Sequence, residues 1–226
     1  MLIHIPAVLT AQQVQEFRKE LEAADWADGK GSAGYLSRQV KQNRQLPEGQ
    51  ALAKKLGEVI QRALNSNQLF VAAALPQKIL PPQFNCYDVS ETYGRHVDGA
   101  IRPVAGTPHR VRTDLSATIF LSEPQDYDGG ELKIEDTFGP RFIKLPAGDM
   151  VLYPGTSVHS VTPVTRGQRL ASFFWIQSMV REDHKRSLLL DLDKATQKVA
   201  AMTGEGNPAT DLASIYHNLL RLWADV

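Results

Sequence analysis

Cysteine is almost absent from this sequence: Cys86 stands alone among 226 residues. A single cysteine cannot form an internal disulfide, so a small secreted module held together by disulfides is excluded. Cys86 lies in the apolar run QFNCYDV. That setting favours a packed core thiol over a catalytic nucleophile.

An excess of either charge is also lacking, because 25 basic residues face 25 acidic ones. Neither nucleic acid nor an anionic membrane is therefore expected as a partner. No hydrophobic run approaches the length of a membrane span. The opening MLIHIPAVLTAQQ has neither the basic segment nor the long apolar stretch of a signal peptide. We expect a cytoplasmic protein without a membrane partner.

Helical patterns occupy the two ends of the chain. Thr10 and Gln13 form a capping-box pattern ahead of apolar residues at helical spacing. A second amphipathic segment follows Pro47, and two more flank TGEGN (203–207) near the end. We expect this last pair to form a helical appendage. Its leucines are dense enough to allow a homodimer contact: Leu188, Leu189, Leu190 and Leu192.

From about residue 69, short apolar runs alternate with turns rich in Gly, Pro, Asn and Asp. Many short strands with such turns predict a β-barrel, sandwich or jelly roll. The sequence DGG (128–130) also favours a hairpin. We expect three parts: an N-terminal helical support region (1–77), a β core (78–178) and a C-terminal helical appendage (179–226).

The stretch YGRHVDGA (93–100) places His96 and Asp98 two residues apart. Alternate residues of a strand point to the same face, so both side chains would meet at one point. His159, just after the Pro-Gly turn of YPGTSVHSV, is the candidate third ligand. Two histidines and one carboxylate leave coordination positions open, which suits non-haem Fe(II) that binds a cosubstrate and dioxygen.

The segment HSVTPVTRGQRLASFFW (159–175) extends this site. A hairpin centred on 166–167 would pair His159 near Phe173 and Pro163 near Arg169. Arg169 would then share a face with His159. A guanidinium binds a carboxylate bidentately, which suits the far end of the diacid 2-oxoglutarate.

Together these stretches resemble the Fe(II)/2-oxoglutarate-dependent dioxygenases of the prolyl/lysyl hydroxylase branch. The most similar group is that of the PKHD-type hydroxylases associated with bacterial iron uptake. The resemblance covers about residues 78–178. It implies an α+β protein whose double-stranded β-helix (jelly-roll) core is flanked by N-terminal helices and a C-terminal helical pair. The matching pieces are YDVSETYGRHVD (87–98), DGGEL (128–132), AGDMVLYPGTSVHSV (147–161) and GQRLASFFW (167–175).

The resemblance also implies a site and a reaction. His96, Asp98 and His159 would bind Fe(II), and Arg169 would bind the distal carboxylate of 2-oxoglutarate. The enzyme would use dioxygen to convert 2-oxoglutarate to succinate and CO₂ while hydroxylating an unidentified substrate. The substrate could be a prolyl, lysyl or related group, and the reaction could be linked to iron uptake. Ascorbate would be a reductant.

This chain departs from the family at two positions. Some relatives carry glycine at the position of Ser90. Relatives that resemble this chain near Arg169 often have tyrosine at the position of Phe120. Phe120 cannot donate a hydrogen bond to the cosubstrate. We expect Tyr87 and Tyr93 to line the pocket in its place. Trp175, on the same predicted face, is expected to serve core packing rather than substrate contact.

Two questions stay open at this point. The segment 99–114 is rich in Gly, Pro and Arg and predicts a loop, which is either solvated or receives an anionic or polar substrate. The second question is whether the protein is an enzyme or a non-catalytic iron- and 2-oxoglutarate-sensing module that acts through a protein partner. A purely structural metal site ranks last, because it gives Arg169 no role. The arginines in or beside the loop are Arg95, Arg102, Arg110 and Arg112.

Overall fold

The computed structural model describes residues 1–104, 106–202 and 208–226 of the chain. Helices in these ranges are α1 (Ala11–Glu22), α2 (Ala51–Ser66), α3 (Gln68–Ala74), α4 (Asp183–Met202) and α5 (Ala209–Trp223). Short 3₁₀ turns cover Gly29–Ser32, Ser37–Val40 and Pro124–Asp126. The strands are β1 (Ile3–Ile5), β2 (Ala27–Asp28), β3 (Lys41–Gln42), β4 (Arg44–Gln45), β5 (Pro76–Ile79), β6 (Gln83–Tyr87), β7 (Thr92–His96), β8 (Ile101–Pro103), β9 (Arg110–Arg112), β10 (Leu115–Phe120), β11 (Tyr127–Gly129), β12 (Leu132–Asp136), β13 (Gly139–Ile143), β14 (Met150–Pro154), β15 (His159–Val161), β16 (Val164–Gly167) and β17 (Arg169–Ser178).

The N-terminal helices form where the sequence predicts two of them. At the start of α1 the Thr10 hydroxyl accepts from the Gln13 N–H, and the Gln13 side chain accepts from the Thr10 N–H, which confirms the capping box. Helix α2 buries one apolar stripe, including Leu56 and Ile60. Helix α3 was not predicted. Asn67 caps its start, in a run that we read as the beginning of the β region.

Two antiparallel sheets make up the β region of the described chain. The major sheet has the order β1-β14-β10-β17-β6-β4-β2, and β5 pairs with the far part of β17. The minor sheet has the order β13-β12-β15-β7-β3. Two ribbons, β11-β16 and β8-β9, lie outside them. The predicted jelly-roll architecture, with helices on either side in sequence, is confirmed.

The core lies in two layers, one on each face of the major sheet. One layer packs helices α1 to α3 on this sheet and includes Phe17, Ile60 and Phe174. The other lies between the sheets and joins residues of both, such as Phe120 and Ile134. Every residue of the central strand β10 is buried, as expected when a strand is covered on both faces.

The predicted hairpin around residues 166–167 is wrong. Strand β15 pairs with β12 and β7 in the minor sheet, whereas β17 pairs with β10, β6 and β5 in the major sheet. Between them β16 pairs with β11. The chain therefore crosses from one sheet to the other over this segment. DGG (128–130) likewise joins β11 to β12 of different sheets and does not form a hairpin.

Segment 99–114 is more ordered than the predicted loop. Strands β8 and β9 pair antiparallel, with Ile101 opposite Arg112 and Pro103 opposite Arg110. Ala105 lies outside the described residues. The sequence did not predict this hairpin, because each strand has only three residues and shows no clear alternation. The glycines and prolines of the segment favoured a loop instead.

The C-terminal helices α4 and α5 pack against each other. They also contact the residue that follows α3 and the residues that follow β17. Leu75, Val180 and Leu189 form the buried centre of this contact. The predicted helical pair is confirmed, while the TGEGN break (203–207) lies outside the described residues. None of the helices in the described ranges is both long and apolar enough to cross a membrane.

Candidate functional site

Strands β7 and β15 bring the predicted ligands together. His96 and His159 are directly opposite each other in the minor sheet, and Asp98 follows the end of β7. One ligand atom from each of the three residues can be chosen so that all lie within 4.8 Å of one another. The Nε2 atom of His159 lies 3.8 Å from Oδ2 of Asp98. The three side chains could therefore hold a single metal ion.

Backbone carbonyls orient both imidazoles. Nδ1 of His96 lies 2.8 Å from the oxygen of Gly94, and Nδ1 of His159 lies 3.1 Å from the oxygen of Ser157. A carbonyl can only accept, so each Nδ1 carries a proton, and Nε2 is the ring nitrogen left to face a metal ion. Burial, reinforced by the neighbouring His159, lowers the pKa of His96 to about 4. His96 is thus neutral at pH 7, as a metal ligand must be.

Neighbouring side chains fix the three groups further. The Ser116 hydroxyl donates to Oδ2 of Asp98 at 2.7 Å. Tyr93 stacks on His96 with ring centroids 3.6 Å apart, and Tyr153 meets His159 edge-on at 5.3 Å. Such contacts restrict the rotation of the side chains and prepare their geometry before any ion binds.

Arg169 begins β17 and is only 1% exposed. Its Nε and Nη1 have no hydrogen-bond partner among the described residues. The guanidinium lies between two rings, 5.2 Å from the centroid of Tyr87 and 5.4 Å from that of Phe120. A buried guanidinium with unpaired N–H groups is costly unless an anion joins it, so this recess suits a carboxylate.

Glycine makes room for Arg169 at the DGGEL motif. Gly130 has φ +63°, in the left-handed region. A Cβ atom there would approach Cδ of Arg169 to 3.1 Å and the Tyr127 ring to 3.0 Å. A side chain at this position would therefore be strained and would crowd the arginine.

The three candidate ligands and Arg169 open into one cavity of about 950 Å³. Tyr87 and Tyr93 line it, as predicted. Trp175, predicted to be core, is buried but also lines the cavity. The cavity lies between the two sheets, and His159 and Arg169 line it from different sheets. The expectation that they share one site therefore agrees with the structure, although the predicted hairpin does not.

Known proteins resemble this chain over its whole length. A model of the 2OG-Fe(II) oxygenase superfamily matches residues 82–177, and one of the PKHD-type hydroxylase C-terminal domain matches 183–225. A PKHD-type hydroxylase of Bordetella pertussis is 58% identical over 226 residues, 100% of both chains. One of Saccharophagus degradans is 56% identical over 224 residues, 99% of both chains. The chain belongs to the PKHD-type hydroxylases.

Solved structures share the fold at low sequence identity. A Pseudomonas putida prolyl-4-hydroxylase has a TM-score of 0.53 and 21% identity, covering 78% of this chain and 92% of that one. HygX of Streptomyces hygroscopicus, solved with nickel and 2-oxoglutarate bound, has a TM-score of 0.53 and 17% identity, covering 80% and 84%. These likenesses support the jelly-roll assignment.

Membership of the PKHD-type hydroxylases decides the choice between enzyme and sensor. The protein is a 2OG-Fe(II) oxygenase, which uses Fe(II) and dioxygen, converts 2-oxoglutarate to succinate and CO₂, and hydroxylates a substrate. The identity of that substrate does not follow from the family.

Sequence analysis missed two polar residues of this PKHD-type site, Ser116 and Lys41. Ser116 could have been found, because Ser116 and Thr118 alternate in the otherwise apolar strand LSATIF and so share a face. Lys41 could not, because β3 has only two residues and shows no periodicity.

Lys41 is unusual because it is 2% exposed and forms no ion pair with any described residue. Its Nζ donates to Ser32 Oγ at 2.8 Å and to Gln45 Oε1 at 2.9 Å, both neutral acceptors. Burial is the main cause that lowers its pKa to about 8, and nearby Arg102 adds to the effect.

Stability should therefore depend on Lys41 in a defined pH window. Between pH 8 and the ordinary lysine pKa of 10.5, the unfolded chain binds more protons than the folded one, so stability rises with pH. Lys41→Met should raise the free energy of unfolding at pH 7 by about 1–3 kcal/mol and remove that rise. Denaturant unfolding of metal-free protein at pH 7 and pH 10 measures both effects. The exposed Lys54→Met is the control, and an equal pH slope in the wild type and Lys41→Met would contradict the expectation.

Proposed function

We propose that His96, Asp98 and His159 bind the Fe(II) of this hydroxylase and that Arg169 binds the distal carboxylate of 2-oxoglutarate. One observation carries the proposal. Three metal-ligand atoms within 4.8 Å of one another line the same cavity as a buried arginine with unpaired N–H groups. That combination supplies a cation site and an anion site for one bound cosubstrate.

The residues fit both groups chemically. Two imidazoles and one carboxylate form the donor set of non-haem Fe(II) oxygenases and leave positions open for cosubstrate and dioxygen. The guanidinium of Arg169 can bind a carboxylate with two parallel hydrogen bonds. When bound, the iron and 2-oxoglutarate together supply the oxidising chemistry that the side chains of the protein lack.

The remaining residues position these groups and keep water away. Ser116 holds the Asp98 carboxylate in one orientation, and the Gly94 and Ser157 carbonyls hold the imidazoles. Tyr87 and Phe120 enclose the arginine with fully buried rings. A dry recess strengthens the ion pair between Arg169 and the diacid, because solvent screening is small there.

Tyrosines take the place of the hydrogen-bond donor that Phe120 cannot supply. Tyr87 is opposite Arg169 in the pairing of β6 and β17, so its hydroxyl is a candidate cosubstrate donor. Tyr93 lies against His96 and is the second candidate. Burial raises the pKa of Tyr87 and raises that of Tyr93 to about 12. Both hydroxyls therefore keep their proton at pH 7 and can donate it in a hydrogen bond.

Other features of the function are proposed from less specific observations. We keep the division into a helical support region (1–77), a dioxygenase core (78–178) and a helical appendage (179–226). A homodimer through the C-terminal helices is supported by exposed Leu188, Ile215 and Leu222.

A cytoplasmic location is supported by one free, buried cysteine, and the neutral net charge gives no reason for a nucleic acid or membrane partner. Ascorbate as a reductant and a prolyl, lysyl or iron-uptake substrate rest on the family.

An anaerobic titration tests the proposed site. Metal-free protein receives Fe(II) and then 2-oxoglutarate, and the visible charge-transfer band of the chelate is followed. Air is then admitted and succinate is assayed. We expect a saturable band followed by succinate. No band under any loading condition would contradict the assignment of these residues.

Replacement of Ser116 tests whether the Asp98 carboxylate must be held in place. Ser116→Ala removes the 2.7 Å hydrogen bond and should weaken Fe(II) binding by about 10–100-fold. Ser160→Ala is a matched control, because Ser160 is next to His159 on the opposite face of β15. Metal titration of both variants gives the affinities, and equal affinities would show that Ser116 does not orient the ligand.

A further inference from the structure

Arg102 of β8 lines the cavity that holds the candidate metal ligands. Its guanidinium carbon lies 3.8 Å from the centroid of the Trp175 ring, in a stacked cation–π contact. Among the described residues it forms no side-chain hydrogen bond or ion pair. Arg95 pairs with Glu135 and Arg112 pairs with Asp114, whereas Arg110 is exposed and does not line the cavity. Stacking therefore holds Arg102 in place with its N–H groups free.

Lys41 lines the same cavity and lies close enough to Arg102 for their charges to repel. Its ammonium lies 5.2 Å from the centroid of the Tyr93 ring and 5.8 Å from that of Phe173. Asp98, the acid that acts most strongly on both cations, belongs to the proposed metal site, and the weaker-acting Asp28 and Glu48 are hydrogen-bonded to other groups. Asp28 accepts from the Lys30 N–H, and Glu48 accepts from the Gln83 amide.

The charges of the loaded site leave Lys41 and Arg102 unbalanced. Fe(II) carries two positive charges and 2-oxoglutarate two negative ones, so these cancel. The Asp98 carboxylate and the Arg169 guanidinium cancel in the same way. Two cations that line the same cavity beside aromatic rings then remain without an anion, which is unfavourable in the absence of further ligand. A substrate with an anionic group would supply the missing negative charge.

We propose that the substrate carries an anionic oxygen group, a carboxylate or a phosphate, that binds between Arg102 and Lys41 while the carbon to be hydroxylated faces the metal site. The inference rests on the proposed function, since it places the substrate beside the iron and its cosubstrate. Trp175, Phe173 and Tyr93 supply an apolar wall for the adjoining part of the substrate. The planar guanidinium of Arg102 suits bidentate contact with either anion.

Three aryl probes of similar shape test this proposal: phenylacetate, phenyl phosphate and the neutral phenylacetamide. Anaerobic protein is first saturated with Fe(II) and 2-oxoglutarate, and the charge-transfer band shows that loading is complete. Each probe is then titrated by calorimetry into wild type, Arg102→Gln, Lys41→Met and Arg110→Gln. Arg110 is the matched control, because it is exposed on the neighbouring strand β9 and does not line the cavity.

We expect at least one acid to bind wild type about tenfold or more tightly than the amide. Arg102→Gln and Lys41→Met should each remove most of that preference, and Arg110→Gln should keep it. The acid that binds more tightly decides between carboxylate and phosphate. Equal binding of acid and amide, an equal loss in Arg110→Gln, or no binding of any probe at millimolar concentration would overturn the proposal. Displacement of 2-oxoglutarate, seen as loss of the band, would also overturn it. A band that never forms would instead reject the proposed iron and cosubstrate site.

Discussion

His159→Ala should lower succinate formation by more than about a thousandfold, well beyond the 10–100-fold effect of groups outside the ligand set. The reason is that His159 supplies one of three proposed ligands and is directly opposite His96 in the sheet. Two remaining ligands would bind Fe(II) weakly and orient it poorly. Succinate assays at saturating Fe(II), with metal content measured in parallel, check the result.

Two further variants make the His159 result interpretable. His159→Gln preserves most of the buried volume beside Tyr153, so that loss of packing is separated from loss of the ligand. His109→Ala removes an exposed histidine from the β8-β9 hairpin and should leave turnover unchanged. Near-normal turnover in folded His159→Ala would mean that the third ligand is another residue.

Arg169→Ala should raise the apparent KM for 2-oxoglutarate by about 30-fold or more, since truncating one side of a buried charged pair costs about 2–5 kcal/mol. The guanidinium is almost fully buried, so water cannot replace it easily. The same variant should still bind Fe(II), because the three proposed ligands belong to other strands and loops. Titration of the charge-transfer band at fixed Fe(II) measures the affinity directly.

Charge and geometry can be separated at this position. Arg169→Lys keeps the positive charge but loses the planar fork, so we expect an intermediate affinity for 2-oxoglutarate. Arg166, which precedes Arg169 by three residues, is exposed and paired with Asp128, so Arg166→Ala should have little effect. An unchanged affinity in Arg169→Ala would remove the arginine from the cosubstrate site.

Short-range patterns in the sequence were sufficient to predict the local elements of this fold. The capping box at Thr10 and the apolar stripe of α2 determine their helices almost independently of the rest of the chain. His96 and Asp98 were grouped correctly because they are close in sequence. Strand alternation and ligand chemistry then suggested His159 as the third member of the cluster.

Long-range pairing could not be predicted in the same way. The hairpin expected around 166–167 was locally reasonable, but β15 pairs with β12 and β7 while β17 pairs with β10 and β6, so both edges of each strand are hydrogen-bonded within a different sheet. Two-residue strands such as β3 depend wholly on partners distant in sequence. Lys41 and the stacking of Arg102 on Trp175 were therefore beyond reach of the sequence alone.

The backbone conformation of Ser90 is one that glycine would adopt more easily. Ser90 has φ +73°, in the left-handed region that glycine adopts without strain. Its N–H donates to the carbonyl of Val164, so the turn between β6 and β7 is fixed to the crossing segment. A glycine at this position would relieve the strain and keep the turn.

The direct opposition of His96 and His159 in the minor sheet has a consequence for folding. An ion bound to both imidazoles would cross-link β7 to β15 and act as a non-covalent staple between strands that are more than sixty residues apart in sequence. Such a staple has no counterpart in the unfolded chain, so every increment of metal affinity also adds to folded-state stability. Metal availability in the cell would then influence how long the polypeptide survives proteolysis, as well as how fast it turns over.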